Sequence, residues 1–184
     1  MHSRRSAVQP AERAGPPAET YLPLMLSKRI GVFLASVALP QAVGGLAGLA
    51  TSAGVRDWYP ALRKPSFNPP AWVFGPVWTG LYFLMGISLY LAWRSPQGKQ
   101  RSRALFAFAV QLALNAAWSF LFFAFRRTGW ALIEIALLWL AIAWMIVALR
   151  KVSPPAAGLQ IPYLAWVSYA SALNAALWRL NPDS

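Results

Sequence analysis

Long apolar blocks, separated by short polar or proline-rich connectors, make up most of this 184-residue chain. Five blocks stand out, at about 30–51, 72–93, 103–125, 128–149 and 158–180. Each is close to the ~20 residues that carry a helix across the hydrocarbon core of a bilayer. Backbone groups in lipid must bond within their own segment or a closed barrel, so apolar runs of this length can span only as helices. The pattern therefore predicts an all-α integral membrane protein, a five-transmembrane-helix bundle occupying 28–184. Residues 1–27, rich in Pro, Ala, Ser and Arg, read as a disordered N-terminal extension. A targeting segment is the competing reading, and Glu12 and Glu19 count against a transit peptide, which is normally poor in acids.

The helical blocks keep polar and aromatic residues that lipid alone does not require. Spaced i, i+4, they stack on one face of each helix. The first block has Gln41, Gly45 and then Gly48; the second has Trp78 and Tyr82; the third has Gln111, Asn115 and Ser119. The fourth has Trp130 and Glu134, and the fifth has Trp166, Ala170 and Asn174. Polar side chains within a membrane normally face the bundle interior. Five such faces fit an aromatic-walled ligand pocket oriented by a few amides. They also fit plain packing, in which Asn and Gln bond a neighbouring helix. Trp72, Trp93 and Trp130, near block ends, suit interfacial anchors, whereas Trp78 and Trp166 lie deeper. Glu134, near the start of its block, suits a headgroup-level or helix-paired carboxylate better than a proton relay. Gly44 and Gly48 form a GxxxG spacing, a weak signal of close helix approach.

The connector WYPALRKPSFNPPAW, residues 58–72, is unlike a plain linker. Pro60, Pro65, Pro69 and Pro70 restrict themselves and the residues before them, which lowers the entropy lost on ordering. Trp58, Tyr59 and Phe67 offer apolar surface to fold back on the bundle. The loop reads either as a lid over a pocket mouth, with Trp58, Tyr59, Lys64, Pro65, Pro69 and Pro70 as its parts, or as a spacer fixing two helices.

Composition narrows the chemistry. Charged residues are 12% of the chain and hydrophobic ones 58%, against about 25% charged in a soluble domain. The net charge of +12 does not point to nucleic acid, because Lys and Arg sit at the ends of apolar blocks and face lipid headgroups. Eleven of the 17 fall on the side of the N-terminus, which the positive-inside rule places in the cytoplasm. There is no Cys, and the one His is His2. No metal site, Ser-His-Asp triad or haem-ligating His is expected, and no cofactor.

The segments WYPALRKPSFNPPAWVFGPVWTGLYFLMG (58–86), QLALNAAW (111–118), GWALIE (129–134) and PYLAWVSYASALNAALWRLN (162–181) together resemble the TspO/MBR family of tryptophan-rich sensory and translocator proteins. The resemblance runs in order from about 30 to 181. It implies a five-helix bundle, commonly a homodimer, that binds porphyrins and haem-like tetrapyrroles, with cholesterol and benzodiazepine-type drugs as further ligands of animal members. It implies ligand contacts at Trp78, Trp130, Trp166, Ala170 and Asn174, beside Tyr82 and Asn115 from the spacing, and a cavity beneath the loop of Trp58, Lys64 and Pro65. Some bacterial members degrade protoporphyrin in light, with the tryptophans matching Trp78 and Trp166 implicated, which makes those two the catalytic candidates. Two departures stand out. Ala175 replaces the tyrosine of the animal cholesterol motif before Arg179, and Phe106 and Val110 replace small residues at an animal dimer contact, with Ala109 and Ala113 as the alternative small pair.

Three functions follow as expectations: a receptor or carrier regulating tetrapyrrole flux, a light-dependent porphyrin-degrading enzyme, or a sterol or lipid transporter. The carrier is the leading reading. The bacterial cell envelope is the preferred location, with the mitochondrial outer membrane as the alternative.

Overall fold

The computed structural model describes residues 18–182, with side chains from residue 26 onward. Its long elements are α1 (Ala18–Ala53), α2 (Ala71–Arg94), α3 (Lys99–Ser119), α4 (Thr128–Arg150) and α6 (Ile161–Leu180), with a short α5 (Pro154–Gly158) before the last. The chain is an all-α membrane bundle of five long helices. By length and composition, α1 to α4 are apolar enough to cross a bilayer, and α6 lies against α4 within the same bundle.

Two boundaries differ from the hydrophobic pattern. The expected disordered extension gives way to helix at Ala18, while 1–17 lie outside the described residues. Residues 18–27 include Ala, Glu, Leu and Met, and extending an existing helix costs far less than nucleating one. The second difference is α5. Ser153 caps it, its hydroxyl accepting from the Ala156 amide at 3.4 Å, and Pro154 occupies the first turn.

Wide i→i+5 turns finish α1 and α3. Residues Gly54–Trp58 close the first, and Phe120–Ala124 close the second, where the Phe125 amide donates to the Phe120 carbonyl at 2.8 Å. Such turns rotate the side chains that follow them. The two meet, because Gly54 has no Cβ and the Phe123 carbonyl fills that space. Arg126, at φ 56°, then reverses the chain into α4.

Packing is densest at the end carrying the α2–α3 and α4–α5 connections. Met85, Ala104, Ala107, Ile142, Met145, Leu149 and Ala156 are buried there with Tyr163 and Val167. Ser88 Oγ donates to the Ala156 carbonyl at 2.9 Å, and Ser95 Oγ to the Val152 carbonyl at 3.1 Å, locking α5 under the bundle. Gly86 lets α2 approach α1 so closely that a Cβ would strike Val37 and the Ser36 carbonyl. That carbonyl lacks its helical donor because residue 40 is Pro. A smaller core of Phe122, Ala131, Leu173 and Leu177 lies at the opposite end, under the proline-rich loop.

Candidate functional site

The opposite end is hollow. A cavity of about 850 Å³ lies between α1, α2, the end of α3, α6 and the 58–70 loop. Its walls include Trp78 and Tyr82 from α2, Trp166, Ala170 and Asn174 from α6, and Trp118, Phe122 and Phe123 from α3 and its wide turn. Phe74 completes the aromatic wall, with its ring centroid 6.0 Å from that of Trp166. Gly44 and Gly48 line the α1 side. Gly44 makes room for the Tyr82 ring, which occupies the space a Cβ would need, and a Cβ on Gly48 would meet nothing within 4 Å. The GxxxG spacing thus makes room for an aromatic ring and a cavity.

Hydrogen bonds fix the floor. Trp78 stacks on Tyr82 with ring centroids 5.5 Å apart. The Tyr82 hydroxyl donates to Asn115 Oδ1 at 2.7 Å, and Asn115 Nδ2 donates to the Tyr163 hydroxyl at 3.0 Å. Asn115 itself lies outside the cavity lining and holds Tyr82 from behind. Asn174 works similarly on the far wall. It accepts from Trp118 Nε1 at 3.1 Å, and its Nδ2 donates to the Thr128 carbonyl at 2.8 Å. Asn115 spends its bonds on two phenol rings, and Asn174 on the Trp118 indole and the start of α4, as a buried polar group must be paired. By contrast, the indole N–H of Trp166 has no hydrogen-bond partner among the described residues.

The proline-rich loop forms the roof. Tyr59, Pro60, Lys64, Asn68, Pro69 and Pro70 line the cavity, while Trp58 packs edge-on against Phe122 and Pro65 lies outside the lining. The Tyr59 hydroxyl donates to Asn68 Oδ1 at 2.7 Å. Lys64 Nζ donates to the Pro60 and Leu62 carbonyls at 2.8 and 3.1 Å and lies 5.1 Å from the centre of the Tyr59 ring. The loop is also clasped to α6. The Arg63 amide donates to Asn181 Oδ1 and Asn181 Nδ2 to the Arg63 carbonyl, both at 3.0 Å, and the Tyr169 hydroxyl donates to the Phe67 carbonyl at 2.7 Å. Arg56 stands at the rim.

Trp130 sits elsewhere, 66% exposed on the outer face of α4 and away from the cavity. Glu134 is buried, and neither of its oxygens has a partner among the described residues, which differs from a helix-paired carboxylate. Gln111, one turn from Asn115, is likewise buried and unpartnered. Among the described residues no group of His, Asp or Glu could hold a metal ion.

Sequence comparisons cover the elements that build this cavity. The profile of the TspO/MBR family matches residues 36–179, from mid-α1 to the end of α6. The chain belongs to the TspO/MBR family. It is 46% identical over 126 residues to the translocator protein of Homo sapiens, covering 67% of this chain and 75% of that one. It is 42% identical over 148 residues to the tryptophan-rich protein TspO of Archaeoglobus fulgidus, covering 80% and 95%. Over 149 residues it is 38% identical to the tryptophan-rich sensory protein of Cereibacter sphaeroides, covering 81% and 89%. The residues matched by the family profile include every element around the cavity. Membership in the TspO/MBR family and the aromatic membrane fold agree with a ligand-binding receptor or carrier.

Sequence spacing did not mark Trp118, Phe122 and Phe123 as wall residues. Trp118 lies one turn beyond Asn115, which was a usable signal. Phe122 continues the same face at i+7 from Asn115, a signal the spacing also offered, while Phe123 lies in the wide turn at 120–124.

Proposed function

We propose that this TspO/MBR protein binds porphyrins or haem-like tetrapyrroles in the roofed cavity and regulates their flux as a receptor or carrier. The observation that carries the reading is the pairing of flat walls, Trp78 on Tyr82 and Trp166 beside Phe74, around one space. Its volume lies within the roughly 300–1,000 Å³ typical of small-molecule sites. A planar macrocycle suits opposed ring faces, since offset and edge-on aromatic contacts add to apolar burial. Arg56 at the rim offers a cation to carboxylate side arms. Homodimer assembly and a bacterial envelope location belong to the same proposal and rest on the family.

Protoporphyrin titration of the purified protein in detergent, followed by tryptophan quenching in the dark, tests the reading. Saturable quenching is expected, with affinity falling by about 2–3 kcal/mol in Trp166→Ala, the scale of burying an aromatic ring. Non-saturable quenching, or equal affinity in the variant, rejects it. Illuminating the same samples tests light-dependent degradation, which requires a new product absent from Trp78→Phe. Competition by a sterol at the same site tests the transporter reading.

A further inference from the structure

Behind the cavity floor, buried polar groups outnumber the bonds made to them. Asn174 joins Trp118 of α3 to Thr128 of α4, which marks one level of the bundle. Gln111 lies seven residues before Trp118, a descent of about 10 Å, and Glu134 lies six residues after Thr128, a descent of about 9 Å. The two helices are packed neighbours, so both side chains enter the interior at nearly the same depth. Gln111 is 0% exposed and Glu134 7%, and none of their four side-chain polar atoms has a hydrogen-bond partner among the described residues. Burying such groups unpaired is costly, most of all for a carboxylate.

The hydrogen-bonded trio beside them has a direction. The Tyr82 hydroxyl donates to Asn115 Oδ1, and Asn115 Nδ2 donates to the Tyr163 hydroxyl oxygen, so each donor points away from the cavity. The Tyr163 hydroxyl carries a hydrogen of its own, and the run of donors ends there with no acceptor among the described residues. The charge of Glu134 acts on this phenol, although no direct bond joins the two. Gln111 is one turn from Asn115 on the same face of α3. No cation competes for the carboxyl: the Lys and Arg residues of α3, α4 and α6 sit at helix ends, and α5 and the 120–124 turn carry no charge. Buried polar groups that face one another beyond bonding distance are commonly joined by a water, which makes about three bonds of its own.

We infer that Gln111, Glu134 and Tyr163 enclose an internal water site, where a water accepts from the Tyr163 hydroxyl, donates to the Glu134 carboxyl and completes its bonds on the Gln111 amide. Glu134 thereby supplies the acceptor that ends the chain of donors starting at Tyr82. It is a positioning residue for the cavity floor. The site takes water alone and does not depend on what the cavity binds.

Solution NMR of the full chain in detergent, with the Asn and Gln side-chain amides isotope-labelled, tests this. The Gln111 amide protons are expected to show a direct dipolar cross peak to water despite their burial. Glu134→Leu removes that cross peak and shifts the side-chain amide resonance of Asn115, on the far side of Tyr163. Glu134→Gln, which keeps an acceptor, retains the Gln111 cross peak and adds one from the introduced amide. Circular dichroism identifies a Glu134→Leu chain that has lost its helices, and Glu134→Gln then decides. A native chain without water contact at Gln111 overturns the proposal, as does a contact that persists unchanged in Glu134→Leu or is missing from both amides of Glu134→Gln. Loss of the water in Glu134→Leu with the Asn115 resonance unmoved overturns the positioning role.

Discussion

The same helices build two very different ends. At the end closed by α5, the contacts are made by Ala104, Ala107, Ala148, Ala156 and Ala157, with Gly86 drawing α2 onto α1. Small residues let backbones meet, and in lipid it is close packing rather than water exclusion that holds helices together. At the roofed end the contacts are made by rings. Trp118 stacks on Phe122 at 5.0 Å, and Phe123, Tyr59 and Phe74 meet their neighbours edge-on. Rings braced edge to face hold helices apart, and the interior stays open. One end supplies rigidity and the other supplies volume, and the hydrogen-bonded trio of Tyr82, Asn115 and Tyr163 lies where they meet.

Substitutions separate the two ends. The largest effect is expected from Gly86→Val, whose side chain must enter space held by Val37 and the Ser36 carbonyl. Overpacking of this kind costs about 1–3 kcal/mol, and with rigid backbone opposite the upper figure applies. Thermal unfolding in detergent should show a marked loss of stability; an unchanged midpoint would mean that the compact end is not what stabilises the bundle. Next comes Asn115→Ala, which strands two buried phenols at about 1–3 kcal/mol. Because Tyr82 also lines the cavity, both stability and ligand affinity should fall, and a loss of stability alone would divorce the trio from the site. Asn181→Ala removes two bonds of the roof clasp, each worth about 1 kcal/mol at most when exposed. Ligand release should quicken several-fold in stopped-flow fluorescence, with the unfolding midpoint nearly unmoved. The smallest effect is Pro65→Gly, at about 0.4–1 kcal/mol through added freedom of the open loop. Slightly faster release is expected, and a rate equal to the native one would leave the clasp, not proline, as the source of order.

Much of this was legible beforehand. The five blocks follow from apolar length, and the i, i+4 faces of α2 and α6 bring Trp78, Tyr82, Trp166, Ala170 and Asn174 around one cavity. What periodicity misses is local. The wide turn at 120–124 brings in Phe123, and α5 is too short for any repeat, although Ser153-Pro154 spelled out its cap. Spacing also cannot tell a face turned to a partner from one turned to lipid. Trp130 and Glu134 share a spacing, yet Trp130 is exposed and Glu134 buried.

The clasp between Arg63 and Asn181 joins positions 118 residues apart. A ribosome adding about 5–20 residues per second needs on the order of ten seconds to cover that interval. For the later part of that time α1, α2 and the loop are already made while their anchor is not. The pocket therefore belongs to the finished protein alone: an unfinished chain has a loose roof and lacks the α6 wall, and the clasp closes only when the residue after α6 has been added.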